Sequence, residues 1–430
     1  MQLAFRGAIL HCVADPGESA DAAAHQYFED GILVVEDGRV LMLGKADAVL
    51  PQLDQGAELR DHRGRLIIPG LIDCHVHYPQ IGIVGAYGEK LLDWLERYAF
   101  PAERRFADGD YAREIARVFI DELIRNGTTT ALVFATVHAH SADALFEAAA
   151  VRNMRLITGK VLMDNHSPEG LSDDVETGYR DSRDLIERWH GQGRLGYAIT
   201  PRYALSSSQA QLGSAGRLAE AFPDTWIQTH LAENVDEVAA VRQRFPDAHN
   251  YLDVYDRAGL LRERAVFAHC LHLEPAEVER LAAAGGAVAH CPTSNLFLGS
   301  GLFDLRTLAD ASVRVGLGTD VGAGTSLSLL ATMSEAYKVL HLQDQTLPPT
   351  RALYLATLGA ARALYLDDRI GNFAVGKEAD FVVLDPAATA FSAQRTRGIE
   401  SIEELLFALI VLGDDRHVAE TWVYGREQTV

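Results

Sequence analysis

His75-Val-His77 closes an apolar run that begins at Leu66. Along a strand, side chains i and i+2 share a face, so two imidazoles at this spacing can reach one metal ion where the strand ends. Sixteen histidines in 430 residues would give roughly half such a pair by chance, and a second pair, His138-Ala-His140, is present. Context separates the two. His230-Leu-Ala-Glu233, His269 after Ala265-Val-Phe-Ala268, and Asp320 after Val315-Gly-Leu-Gly-Thr319 each stand at the end of a short apolar segment, as His75 and His77 do. His138 and His140 instead open a helix-like run with no matching partners, and are read as structural.

His75, His77, His230 and Asp320 form a nitrogen-rich ligand set with one carboxylate. Imidazole suits Zn or Fe, and an incomplete protein shell leaves room for water. A metal ion makes such a water acidic enough to supply hydroxide at neutral pH, which points to hydrolysis. Glu233, three residues after His230, could shuttle a proton between that hydroxide and a substrate. Asp320 could take the water's proton, and His269 could polarise the water or stabilise developing charge. Each position has a plainer reading: His269 as a hydrogen-bonded strand-end residue, and Asp320 as a cap for the segment that follows it. Separate explanations are then needed at every position, whereas one metal centre accounts for all of them. Cys74 and Cys270 each adjoin a candidate histidine, should point to the opposite strand face, and read as packing.

The elements that must gather these residues are strands. Apolar runs rich in Val and Ile predict eight buried parallel strands near 66–74, 128–134, 155–163, 194–200, 225–231, 264–269, 286–291 and 313–319. Helix-like patterns separate most of them, among them Tyr111 to Arg125, Gln209 to Phe222 and Val235 to Phe245. Repeated strand and helix over this length predict a (β/α)8 TIM-like barrel, residues 66–369, whose strand ends share one face. The flanks, 1–65 and 370–430, hold short alternating runs with turn signals such as Glu36-Asp-Gly-Arg39. They are expected to combine into one small β-sandwich domain built from both chain ends.

The net charge is −21, from 39 basic and 60 acidic residues. With no basic cluster against it, nucleic acid and anionic membrane surfaces are poor partners. A small neutral or cationic substrate fits better. Four cysteines without a C-x-x-C, and no secretory leader pattern, lead to the expectation of a cytoplasmic protein. No run approaches the roughly 20 apolar residues of a membrane span. Asn126-Gly-Thr128 matches a glycosylation sequon but reads as a turn before a strand.

The pattern resembles the amidohydrolase superfamily of metal-dependent hydrolases, with H-x-H after strand one, His after strands five and six, and Asp after strand eight. Pro69-Gly-Leu-Ile-Asp-Cys-His-Val-His77 and Gly376-Lys-Glu-Ala-Asp380 are similar to its signatures. Within that superfamily several stretches resemble the guanine deaminases: His77-Tyr-Pro-Gln80, Leu91 to Glu103, Thr200-Pro-Arg-Tyr203, His230-Leu-Ala-Glu-Asn234, and His290 to Gly301. The resemblance implies one Zn2+ per chain (Fe2+ is the alternative) on His75, His77, His230 and Asp320, with Glu233, Asp320 and His269 as catalytic groups. It implies guanine as substrate, bound by Gln80, Arg202, Tyr203, His77, Glu233 and Asp320, and a homodimer. Tyr203 departs from the phenylalanine common at its position, though a ring there can still stack on a base. Arg202 could instead pair with a barrel carboxylate, Tyr203 could be packing, and Trp94 could wall the pocket or lie on an apolar helix face. The rival expectations are a related hydrolase of another aminated ring, such as 8-oxoguanine, an adenosine derivative or a triazine, and a barrel that has lost its chemistry and serves in binding or assembly.

Overall fold

The computed structural model describes residues 2–88 and 90–429. Four strands come first: β1 (Leu3–Cys12), β2 (His25–Glu36), β3 (Arg39–Lys45) and β4 (Glu58–Pro69). Nine follow: β5 (Leu71–His77), β6 (Thr128–Phe134), β7 (Arg155–Gly159), β8 (Val161–Leu162), β9 (Leu195–Pro201), β10 (Trp226–Leu231), β11 (Ala265–His269), β12 (Ala287–His290) and β13 (Arg314–Leu317). The last three are β14 (Phe381–Leu384), β15 (Val418–Val423) and β16 (Arg426–Gln428).

They make two sheets. One runs β16-β15-β14-β4-β1-β2-β3, interleaving strands from both chain ends. The Glu36-Asp-Gly-Arg39 signal turns β2 into β3, with Asp37 at φ 50° and Gly38 at φ 76°, the paired positive values a tight hairpin turn requires. Phe5 of β1 and Trp422 of β15 lie three strands apart in this order. A flat sheet would separate them by about 14 Å at ~4.8 Å per strand, yet their ring centroids are 4.7 Å apart. The sheet therefore folds over itself around Phe5, Ile9, Leu33, Ile67, Phe381 and Trp422, giving the sandwich-like packing expected of the chain ends.

The other sheet follows the order β5-β6-β7-β9-β10-β11-β12-β13, with β8 pairing β9. Its ends meet through backbone hydrogen bonds: Asp320 N donates to His75 O at 2.8 Å, and His77 N donates to Val321 O at 2.8 Å. This is the expected barrel of eight strand positions. Helices fill the connections, Gly109–Arg125, Gln209–Ala221, Val235–Arg244 and Pro275–Ala284 among them. Among the described residues, no helix is long and apolar enough to cross a membrane.

Two expected strands are broken: the run near 155–163 at Lys160, into β7 and β8, and the run near 66–74. The run near 66–74 is two strands, broken at Gly70: Leu66 to Pro69 pairs with β14 in the chain-end sheet, and only Leu71 onward enters the barrel. A side-chain carbon at Gly70 would lie 2.1 Å from Thr129 Oγ1, so the break sits where no residue larger than glycine fits. By compactness, residues up to Ile72, Asp121–Thr130 and those from Ser328 onward form one unit, and Asp73–Ile120 with Ala131–Leu327 form the other. Every candidate site residue lies in the second.

Candidate active site

His75 and His77 alternate with Cys74 and Val76 along β5, so both imidazoles leave the same face as the strand ends. His230 is the penultimate residue of β10, and His269 is the last of β11. Asp320 follows β13 by three residues. His269 (φ 72°) and Asp320 (φ 50°) both adopt left-handed backbone, a conformation disfavoured for residues with a side chain and concentrated at functional sites. A side chain at Gly318 would meet His75 Cβ at 2.9 Å, so glycine lets the segment after β13 lie against β5.

The donor atoms converge. His77 Nε2 lies 3.2 Å from His75 Nε2 and 3.2 Å from His230 Nε2. Asp320 Oδ1 lies 3.2 Å from His75 Nε2 and 3.4 Å from His77 Nε2. Two nitrogens each ~2.0–2.1 Å from one tetrahedral zinc stand about 3.3 Å apart, which is the spacing found. The tautomers agree: His230 Nδ1–H donates to Arg202 O at 2.7 Å, leaving the Nε2 lone pair to face the other donors. Burial, followed by the neighbouring imidazoles, holds His77 and His230 well below the ordinary histidine value, keeping them neutral as metal ligands must be. Burial would raise Asp320, but His75, His269 and His77 outweigh it and hold its carboxyl well below the usual range. The donor set fits a divalent cation.

Beside this cluster lies a cleft. Its wall includes Gln80, Arg202, Tyr203, Glu233, Trp94 and Leu298. Ser300 Oγ donates to Glu233 Oε1 at 3.4 Å. Burial, with the charges of Asp320 and Glu237, pushes the Glu233 carboxyl well above its ordinary value. His269 Nδ1–H donates to Asn295 Oδ1 at 2.9 Å. Its buried Nε2 has no hydrogen-bond partner and faces Glu233 Oε2 at 3.5 Å and Asp320 Oδ2 at 3.8 Å.

The open alternatives resolve individually. Arg202 does pair with a barrel carboxylate, Glu103, at 2.6 Å, and also borders the cleft. Trp94 and Tyr203 both line it. His138 and His140 stack on one another, and His140 Nε2 bonds Phe106 O at 2.7 Å, apart from the cluster. The four cysteines are buried and free, with burial holding the thiols of Cys74, Cys270 and Cys291 well above the ordinary value. Asn126 ends the helix Gly109–Arg125, its side chain donating to Glu122 O at 2.9 Å, as the turn reading requires.

Four residues escaped the sequence reading. Asp73, fully buried, accepts from Thr319 Oγ1 (2.5 Å), Thr319 N (3.0 Å) and His75 N (3.2 Å), clasping β5 to the segment that carries Asp320. Burial pushes its carboxyl up to about 6, against those hydrogen bonds. Glu237 accepts from the backbone N–H groups of Glu233 and Asn234, fixing the loop that presents Glu233. Asn295 orients His269, and Glu103 bridges Gln80 and Arg202. A charged residue inside the apolar run 66–77 was the available signal for Asp73. Asn234 followed three residues later by Glu237 was a capping signature.

Residues 66–427 match the amidohydrolase family. The chain is 51% identical to the guanine deaminase of Escherichia coli over 98% of its own length and 97% of that protein's. It is 45% identical to a probable guanine deaminase of Deinococcus radiodurans over 98% and 97%. Its fold superposes on a solved E. coli guanine deaminase with a TM-score of 0.97, covering 99% of each chain at 51% identity. A guanine deaminase from C. acetobutylicum with guanine bound in its active site superposes at 0.90, covering 99% of this chain and 100% of the other at 29% identity. With the H-x-H strand end, the later histidines and the final aspartate on one barrel rim, the chain belongs to the amidohydrolase family.

Proposed function

We propose that the protein converts guanine and water to xanthine and ammonia, with Zn2+ held by His75, His77, His230 and Asp320. The observation that carries this reading is one cleft in which the convergent His/Asp cluster, the high-pKa Glu233 and the Gln80–Arg202 wall face each other. The relatives described above act on guanine by name, and their full-length similarity supports the same substrate here.

Bound at this cluster, the metal would supply a water acidic enough to ionise near neutral pH. Asp320, held in its charged form, accepts the proton of the water that attacks C2. Glu233, which keeps its proton because it is buried beside other carboxylates, delivers that proton to the ring nitrogen next to C2. The tetrahedral centre at C2 then collapses: the proton held by Asp320 passes to the amino nitrogen, the C–N bond breaks to release ammonia, and the C2 hydroxyl proton returns to Glu233 as the C2 carbonyl forms. The bare Nε2 of His269 orients the attacking water between Glu233 and Asp320. Arg202 donates to the ring carbonyl oxygen, Gln80 matches a ring-edge donor and acceptor, and Tyr203 with Trp94 covers the base.

Purified protein supplied with guanine should release equal amounts of ammonia and xanthine. Guanine should exceed 8-oxoguanine, adenosine and an aminotriazine in kcat/KM; preference for one of those rings, or no ammonia from any, would remove the reading. A cytoplasmic homodimer belongs to the same reading through the family resemblance and the charge and cysteine pattern. A monomer in sedimentation equilibrium at micromolar concentration would remove the dimer.

A further inference from the structure

Glu103 sits in the short helix Phe100–Arg104, almost wholly buried at 1% exposure, behind the cleft wall. Its Oε1 accepts from Gln80 Nε2 at 2.8 Å and from Arg202 Nη1 at 2.8 Å, and its Oε2 accepts from the same Nη1 at 2.6 Å. Gln80 Oε1 in turn accepts from Gly322 N at 3.3 Å. Turning the Gln80 amide over would place its oxygen against the Glu103 carboxylate and its NH2 against the Gly322 N–H, so the orientation is locked at both ends. Arg202 is held likewise: Nη1 is committed to Glu103, and Phe100 lies under the guanidinium 5.3 Å from its carbon. Its remaining donors, on Nε and Nη2, have no hydrogen-bond partner among the described residues.

We propose that Glu103 is the specificity-determining positioning residue of this cleft, locking Gln80 and Arg202 into one donor pattern that accepts a ring carbonyl and rejects an amino group in its place. The inference rests on the guanine reading above. An arginine fork offers donors only, so it stabilises a carbonyl oxygen and opposes an amino group. Gln80 is the adaptable member, because an amide can present either end, and Glu103 removes that freedom. Without the carboxylate, only the 3.3 Å bond from Gly322 N still opposes turning of Gln80, and Arg202 loses its counter-charge and its fixed direction. The wall then tolerates a ring bearing an amino group where guanine has its carbonyl.

The test compares kcat and KM for guanine and for 2,6-diaminopurine, whose deamination at C2 yields the 2-oxo-6-amino purine and ammonia. Glu103→Gln keeps the shape and removes the charge. It should raise KM for guanine more than it lowers kcat, and shift the kcat/KM ratio toward 2,6-diaminopurine by about tenfold. Glu103→Asp keeps a shorter carboxylate and should give an intermediate shift of about threefold, which decides the matter if Glu103→Gln does not fold. Equal losses on both rings, or an unchanged ratio in the folded variants, would reduce Glu103 to a packing role and overturn the proposal. Wild-type protein that releases no ammonia from guanine would instead remove the underlying reading of function.

Discussion

His230 Nδ1 lies 2.7 Å from the backbone oxygen of Arg202, while the Arg202 side chain borders the cleft. One residue therefore fixes the tautomer of an imidazole in the proposed metal cluster with its main chain and borders the cleft of the proposed purine with its guanidinium. The proposed metal cluster and the proposed substrate wall thus meet at one backbone segment just past the end of β9.

Removing the imidazole should expose this coupling. His230→Ala takes away one candidate ligand, and loss of even an outer partner costs ten- to a hundredfold in metal affinity, so loss of a ligand should exceed about a hundredfold. Elemental analysis after dialysis should find wild-type protein carrying close to one zinc per chain and the variant nearly none. Chelation should lower the wild-type melting temperature, because a metal present at a thousand times its Kd stabilises the fold by about 4 kcal/mol. Stoichiometric zinc in the variant would mean that His230 is no ligand.

Glu233→Gln preserves size and hydrogen bonding to Ser300 but cannot carry a proton. Turnover of guanine should fall by about 10²- to 10⁴-fold, the usual contribution of a positioned acid or base, with zinc content unchanged. A variant that deaminates at the wild-type rate would take the proton-carrying role from Glu233.

How much of this was legible beforehand depended on contrast. A polar residue at the end of an apolar strand stands out, which is why His75, His77, His230, His269 and Asp320 could be read together. The break at Gly70 could not be seen by the same means, since β4 and β5 are both buried where they meet and the apolar run continues across Pro69 and Gly70. Glu103 left even less trace. It sits in a five-residue helix without a period of its own, and its partners lie 23 and 99 residues away. Long-range pairing of buried polar groups follows from the closed barrel, which local pattern does not encode.

Lys160, between β7 and β8, is 1% exposed and pairs with Asp173, 5% exposed. Its ammonium also donates to Val137 O. Asp173 N donates to Met163 O at 2.7 Å, so the pair anchors the loop that sends Leu171 into the cluster around Trp94 and Leu298. Breaking a buried pair strands the remaining charge, so Lys160→Met should destabilise by about 3–5 kcal/mol. Lys160→Met with Asp173→Leu should recover much of that loss, since no charge is then left unpaired. Thermal denaturation of the three proteins checks this, and a double variant no better than the single would show that the pair does more than neutralise itself.

His11 supplies the pH dependence. Its Nδ1 accepts from Phe373 N at 3.4 Å and its Nε2–H donates to Gln26 Oε1 at 3.1 Å, so the neutral ring is satisfied at both nitrogens and a second proton would meet an N–H. Burial, only partly offset by the Gln26 bond, pushes its pKa down to about 4, against roughly 6.5 in an unfolded chain. A folded value below the unfolded one means that the unfolded chain binds the proton first. The stabilisation is therefore complete above the unfolded value and is lost as pH falls from there toward the folded one. Between pH 7 and pH 5 the loss amounts to about 2 kcal/mol, at roughly 1.4 kcal/mol per unit below the unfolded value. His11→Leu cannot titrate, and all other groups are common to both proteins. Urea denaturation at the two pH values should show the stability of the wild type relative to His11→Leu falling by that amount. A difference that stays constant would mean the folded His11 ring accepts its proton as readily as the unfolded one.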